Sequence, residues 1–232
     1  MPALTVNTEA IVLLKRPSTS DSFQSFSVFS AEHGGMLVLQ RISKNSGKGA
    51  KGGGGGAPLD LFSEMALALE SSNQGRTWFV REARLVAGAE GIGRDYAALQ
   101  RASEFAALVA RNPVAAESRE RAYALLQQVF AAFARAGQGG CDGLADIVYL
   151  KAVYRFARDE GYPLKEQWFA ALSPAERGQA AALINKPLAG QSVPPPAPEI
   201  VENLRKKLEA YLRAQTEILL DRSADATQSR LL

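Results

Sequence analysis

His33 and Cys141 are the single imidazole and the single thiol of the chain, so a charge-relay triad, an activated thiolate or a metal centre would have to be built around one of each. His33 stands in a Glu-His-Gly-Gly turn and Cys141 stands beside glycines with no second histidine to activate it. Turn polarity and an inert thiol account for both. One Cys and one His do not close a tetrahedral zinc site, so no metal is expected. Carboxylates such as Asp159 and Glu160 read as solvated charges at a helix end. No catalytic residue is assigned, and the chain reads as a non-enzyme without a cofactor.

The stretch Ser43 to Phe62, SKNSGKGAKGGGGGAPLDLF, is the strongest remaining signal. Gly47, Gly49 and Gly52 satisfy G-x-G-x-x-G, but that fingerprint holds a pyrophosphate only when it opens a helix. Here more glycines and then Ala57-Pro58 follow, and each interior glycine costs a helix about 1 kcal/mol relative to alanine. The Walker pattern also fails, because Gly49 follows Gly47-Lys48 where a Ser or Thr should reach magnesium. The alternative is a basic loop that follows a longer polyanion. Lys15, Arg16, Arg41, Lys44, Lys48 and Lys51 with only Asp21 and Glu32 among them give the segment 15–51 a charge of +4 within a chain of net charge +3. The basic surface is therefore local, and these six cations are the candidate DNA-binding residues. Phe23, Phe26, Phe29, Trp78 and Phe79 offer stacking surfaces if they face outward; most are expected to fill a core.

The elements that would carry these residues fall into two kinds. EAIVLLKR, SFQSFSVFSAE, GGMLVLQRI, LFSEMALALES and RTWFVREARLV read as five short strands. In the fourth, Met65, Leu67 and Leu69 alternate with Glu64, Ala66, Ala68 and Glu70. Five antiparallel-type strands with one long interrupting loop fit a small closed β-barrel of OB-fold type over residues 1–86. From Gly93 the period becomes helical. Ala122, Leu126, Val129, Phe130 and Phe133 form one stripe, Gly161 followed by Pro163 stops a third helix, and Ser173-Pro174 with Glu176 reads as a capping box. A helical domain is thus expected over 87–192, a proline-rich spacer over 193–198, and a terminal helix and tail over 199–232. On that last helix Val201, Leu204, Leu208, Tyr211 and Ile218 form the apolar stripe. The fold class is α+β. No run of apolar residues is long enough to span a membrane and no secretory leader is read, so a cytoplasmic, nucleoid-associated protein is expected.

TEAIVLLKRPSTSDSFQSFSVFSAEHGGMLVLQRISK resembles the start of the bacterial recombination mediator RecO family, in its basic residue after a V-L strand, its polar turn, its EHG and its third strand running into a basic loop. Gly49-Ala50-Lys51 and the segment Pro58 to Phe62 are similar to that family's basic loop and following strand start. YRFARDEGYP is similar to its helix ending in Gly-Tyr-x-Pro. The resemblance implies an N-terminal OB domain, a helical C-terminal domain, binding and annealing of single- and double-stranded DNA, and partnership with RecR and with the acidic tail of the single-strand binding protein. Arg155 and Arg158, three apart on one helix, are the candidate residues for that tail. The zinc cysteines of many relatives are missing from LKEQWFAALSPAER, and polyglycine stands where relatives place arginines. The alternative reading is a protein-interaction scaffold of the same fold with weakened DNA binding.

Overall fold

The computed structural model describes residues 4–17, 21–42, 56–138, 143–188 and 196–220. The candidate residues Lys44, Lys48 and Lys51, and the thiol of Cys141, lie outside them. Among the described residues the chain is α+β: five strands, β1 (Leu4–Arg16), β2 (Phe23–Ser30), β3 (Gly34–Arg41), β4 (Glu64–Ser71) and β5 (Trp78–Ala87), precede six helices. These are α1 (Tyr96–Arg111), α2 (Arg119–Ala136), α3 (Leu144–Asp159), the single turn α4 (Trp168–Ala171), α5 (Pro174–Ile184) and α6 (Pro198–Gln215).

The strands pair in the order β1-β2-β3-β5-β4, and β4 pairs back to β1, so the sheet closes on itself. All pairs are antiparallel except β3 with β5, which meet in parallel at Val38 with Trp78 and Leu39 with Phe79. The seam between β3 and β5 rests on these two residue pairs alone. Alternation sends Met65, Leu67 and Leu69 into an interior shared with Ala10, Val12, Phe26, Val28, Val38 and Trp78. The short β3–β5 contact is extended by the returning end of the glycine loop. Ala57 donates to the Ala83 carbonyl at 2.9 Å, while the Gln40 side chain accepts from Leu59 N–H at 3.1 Å and donates to the Ala57 carbonyl at 2.9 Å. Gly56 has a specific place here, because a Cβ on it would lie 2.3 Å from the Ala83 nitrogen. A side chain there would push the loop end off β5.

The continuous apolar run of β1 reflects burial on both faces. Ala10 and Val12 point inward, whereas Ile11 and Leu13 join Phe29 and Phe62 in a second core with α1, α2, α3 and α6. Phe62 packs on Phe130 of α2 with ring centroids 5.0 Å apart. It holds a left-handed backbone at φ 66, fixed by hydrogen bonds from Phe62 N–H to the Val12 carbonyl and from Val12 N–H to the Ser63 carbonyl. Polar latches reinforce the junction: Tyr123 Oη donates to Glu64 Oε1 at 2.7 Å and Gln127 donates to the same oxygen at 2.9 Å.

Within the helical half, the α2 stripe from Ala122 to Phe133 is buried as its spacing requires. Gly161 ends α3 at φ 89, with Tyr162 N–H reaching back to the Ala157 carbonyl. Two expectations are corrected. Pro198 belongs to α6 as its first turn rather than to a spacer, the position at which the missing N–H costs nothing. Ile218 is buried beyond the end of α6, and Leu212 takes its place on the helix, beside Val201, Leu204 and Leu208 in the core with α3.

The expected capping box is present at α5, and it also ties α5 to α6: Glu176 binds Ser173, Asn203 and Lys207. Hydrogen bonds from Lys207, Ser173 and Asn203 hold its carboxyl down at about 2, against an ordinary 4.5. A depressed folded-state value means a contribution fully present above about pH 4.5 and lost as pH falls toward 2. Glu176→Gln is accordingly expected to flatten the dependence of melting temperature on pH between 5 and 2, measured by circular dichroism. An unchanged profile would show that this carboxylate is not coupled to folding.

Candidate nucleic-acid interface

Strand register decides which candidate side chains share a surface. Arg16 lies opposite Ser25, Ser25 opposite Leu39, and Leu39 opposite Phe79, a row crossing four strands. One step further, Phe23 lies opposite Arg41. Side chains two apart on a strand share a face, so Phe23, Ser25 and Ser27 of β2 stand with Leu39 and Arg41 of β3 on the outer side, while Phe26, Val28 and Val38 fill the interior. At the other end of the same outer side Ile11, Leu13 and Phe29 are covered by helices. The end bearing Arg16, Phe23, Arg41 and Phe79 remains accessible: both arginines are exposed and both phenylalanines are half-buried.

Phe23 and Phe79 meet edge to face, ring centroids 5.5 Å apart with an interplanar angle of 74°. Arg41 stands opposite Phe23 in the strand register, and Arg16 shares that outer side. Arg16 is held in place by donation from Nε to Ser27 Oγ at 2.5 Å, and Gln24 donates to the Arg16 carbonyl at 2.6 Å. Such a surface combines flat apolar platforms with positive charge, the two contributions that a single-stranded polynucleotide requires.

The structure brings Arg16 and Arg41 together and separates Lys15 from them. Lys15 lies opposite Phe26, so it alternates to the other side of β1, exposed at the end of the strand. The described chain leaves β3 at Ile42 and resumes at Gly56, where Ala57 donates to the carbonyl of Ala83 on β5; Lys44, Lys48 and Lys51 lie outside the described residues. After the loop the next regular element is β4, so no helix follows to receive a phosphate in the manner of a dinucleotide site. Phe26, Phe29 and Trp78 are core residues. Phe23 and Phe79 were the members of the aromatic set to identify. The signal for the first is its phase, since Phe23 and Phe26 are three apart and must face opposite sides of a strand. Arg81 is a cation that composition did not single out. It pairs with Glu70, whose carboxyl that hydrogen bond holds below its ordinary value.

On α3, Arg155 and Arg158 are both engaged within the fold. Arg155 donates to Gln128 of α2 at 3.3 Å, and Arg158 pairs with Asp159 at 2.8 Å. Among the described residues no group of three or more His, Cys, Asp or Glu side chains is arranged to hold a metal ion, and no helix is long and apolar enough to cross a membrane. No family model matches the chain, and no curated protein matches it.

Proposed function

We propose that this chain is a non-enzymatic DNA-binding mediator of recombination and repair, of the kind its N-terminal sequence resembles in the RecO family, with an OB-fold barrel as its DNA-binding half. The closed order β1-β2-β3-β5-β4 with a parallel β3–β5 contact supports the OB reading, since that fold presents the face of strands 2 and 3 to oligonucleotides. The observation that carries the reading is the Phe23–Phe79 pair flanked by Arg16 and Arg41 on that open face. Arginines meet phosphates and the rings meet bases, so one strand lies across β1, β2, β3 and β5. Lys44, Lys48 and Lys51 extend the electrostatic track from the loop, and Lys15 from the end of β1. RecR and the tail of the single-strand binding protein are the proposed partners, the latter through Arg155 and Arg158 on the helical half.

Backbone contacts carry affinity and salt dependence but no base identity. Changing Lys44, Lys48 and Lys51 together to alanine is therefore expected to flatten the slope of log K against log salt for single-stranded DNA by about 2, from roughly 0.7 per phosphate contact. Relative affinities for different base compositions should not change. Fluorescence anisotropy over a salt series reads both quantities, and an unaltered slope would remove the loop from the interface.

A further inference from the structure

β1 changes phase in its middle. Val12 belongs to the barrel interior and Leu13 to the helical core, as alternation requires, but Leu14 packs against that same helical core. Two consecutive side chains on one side mark a β-bulge, and the register with β2 shifts there, from Val12 opposite Val28 to Leu14 opposite Ser27. An unbroken strand keeps residues an even number apart on one face, so Arg16 would share the inner side with Val12 and Lys15 would stand outside. The extra residue exchanges them. Arg16 comes to lie opposite Ser25 on the outer side of the sheet, and Lys15 opposite Phe26. Two side chains of β2 then fix the arginine. Ser27 is diagonal to Arg16 across the strand pair and only 8% accessible, and its Oγ accepts from Arg16 Nε at 2.5 Å, its one side-chain hydrogen bond among the described residues. Gln24 donates to the Arg16 carbonyl at 2.6 Å and to the Ser25 carbonyl at 3.1 Å, which holds the backbone at the end of β1.

We infer that Ser27 is a positioning residue of the proposed DNA face: it fixes the Arg16 guanidinium to meet a backbone phosphate of a single strand, and the β1 bulge is what brings the two together. The inference rests on the DNA-binding reading. Ser27 stands between Leu14 and Leu37 in the strand register, a row in which an apolar side chain would bury more area, so its hydroxyl is explained by what it binds. A guanidinium fixed through Nε offers an anion the fork of its two terminal nitrogens. Fixing it in advance also removes the ordering that a long side chain otherwise undergoes on binding.

Fluorescence anisotropy with a labelled single-stranded oligonucleotide, over a salt series, compares full-chain variants that keep every charge. Ser27→Ala is expected to weaken binding roughly fivefold, the scale of ordering one long side chain on association. The slope of log K against log salt should stay as it is, because the number of cations facing phosphates is unaltered. Arg16→Lys, which keeps the charge and lacks the Nε donor, should weaken binding at least as much, again at constant slope. Ser27→Thr retains the hydroxyl and should retain native affinity. In the Arg16→Lys background Ser27→Ala should have no further effect, a coupling that loss of packing alone would not produce. Native affinity in the Ser27→Ala variant overturns the inference and leaves the DNA-binding reading in place, as does a loss that persists in full in the Arg16→Lys background. A native chain that binds no single-stranded DNA overturns both.

Discussion

Replacing Phe23 and Phe79 together by alanine is expected to weaken binding of single-stranded DNA by at least tenfold, and by about thirtyfold or more if each ring stacks a base at about 1–3 kcal/mol. Both rings are half-buried on the outer side of the sheet and touch each other rather than the interior. Their loss should therefore leave the barrel core of Phe26, Val28, Val38 and Met65 in place. Affinity and melting temperature separate the two contributions. A large fall in affinity at nearly constant stability supports a stacking platform, and a large loss of stability with unaltered affinity assigns the pair to packing. The salt slope should scarcely move in this variant, because neither ring neutralises a phosphate.

Arg205→Ala is expected to destabilise the fold by about 3 kcal/mol, the scale of breaking a buried ion pair by removing one partner. Arg205 on α6 meets both oxygens of Glu202 and donates to Glu209 Oε1 at 2.7 Å. Arg205 and Glu209 are both below 10% exposure, so the charge left behind on Glu209 has little access to water. Arg213, at 3.5 Å from Glu209, is too distant to replace the lost bond fully. The same cluster reaches α3 and α1, where Arg101 pairs with Asp146 and Glu104 and lies 5.4 Å from the ring centroid of Tyr149. The double change Arg205→Met with Glu209→Leu should recover most of the loss, since an apolar pair carries no desolvation penalty. Urea unfolding of the three proteins measures this. Equal destabilisation by the single and double changes would show that volume, not charge, is what the site requires.

Much of the fold is legible in local patterns. The alternation of Met65, Leu67 and Leu69 fixes the inner face of β4, and the spacing of Ala122, Leu126, Val129 and Phe133 fixes the inner face of α2, because each periodicity is a property of one element. Ser173, Pro174 and Glu176 act within a single turn and read equally well. What local patterns do not carry is the partner of each face. Ile11 and Leu13 look like ordinary strand interior, yet they serve the helical core, because β1 is covered on both sides. Gly56 looks like one more residue of a slack loop until β5 approaches it at Ala83. The same limit applies to the candidate site. The cations were apparent from type and clustering, but the union of Arg16 with Arg41, and the exclusion of Lys15 from their face, follows from strand register across β1, β2 and β3.

The most direct test of the DNA-binding account is the equilibrium affinity of the full chain for a fluorescein-labelled single-stranded oligonucleotide across a salt series. The proposal assigns six cations to the interface: Lys15, Arg16, Arg41, Lys44, Lys48 and Lys51. With all six meeting phosphates, log K should fall with log salt at a slope of about −4, from roughly −0.7 per contact on a single strand. A slope near zero, or no binding at low salt, would contradict the account and leave the barrel face as a surface for a protein partner.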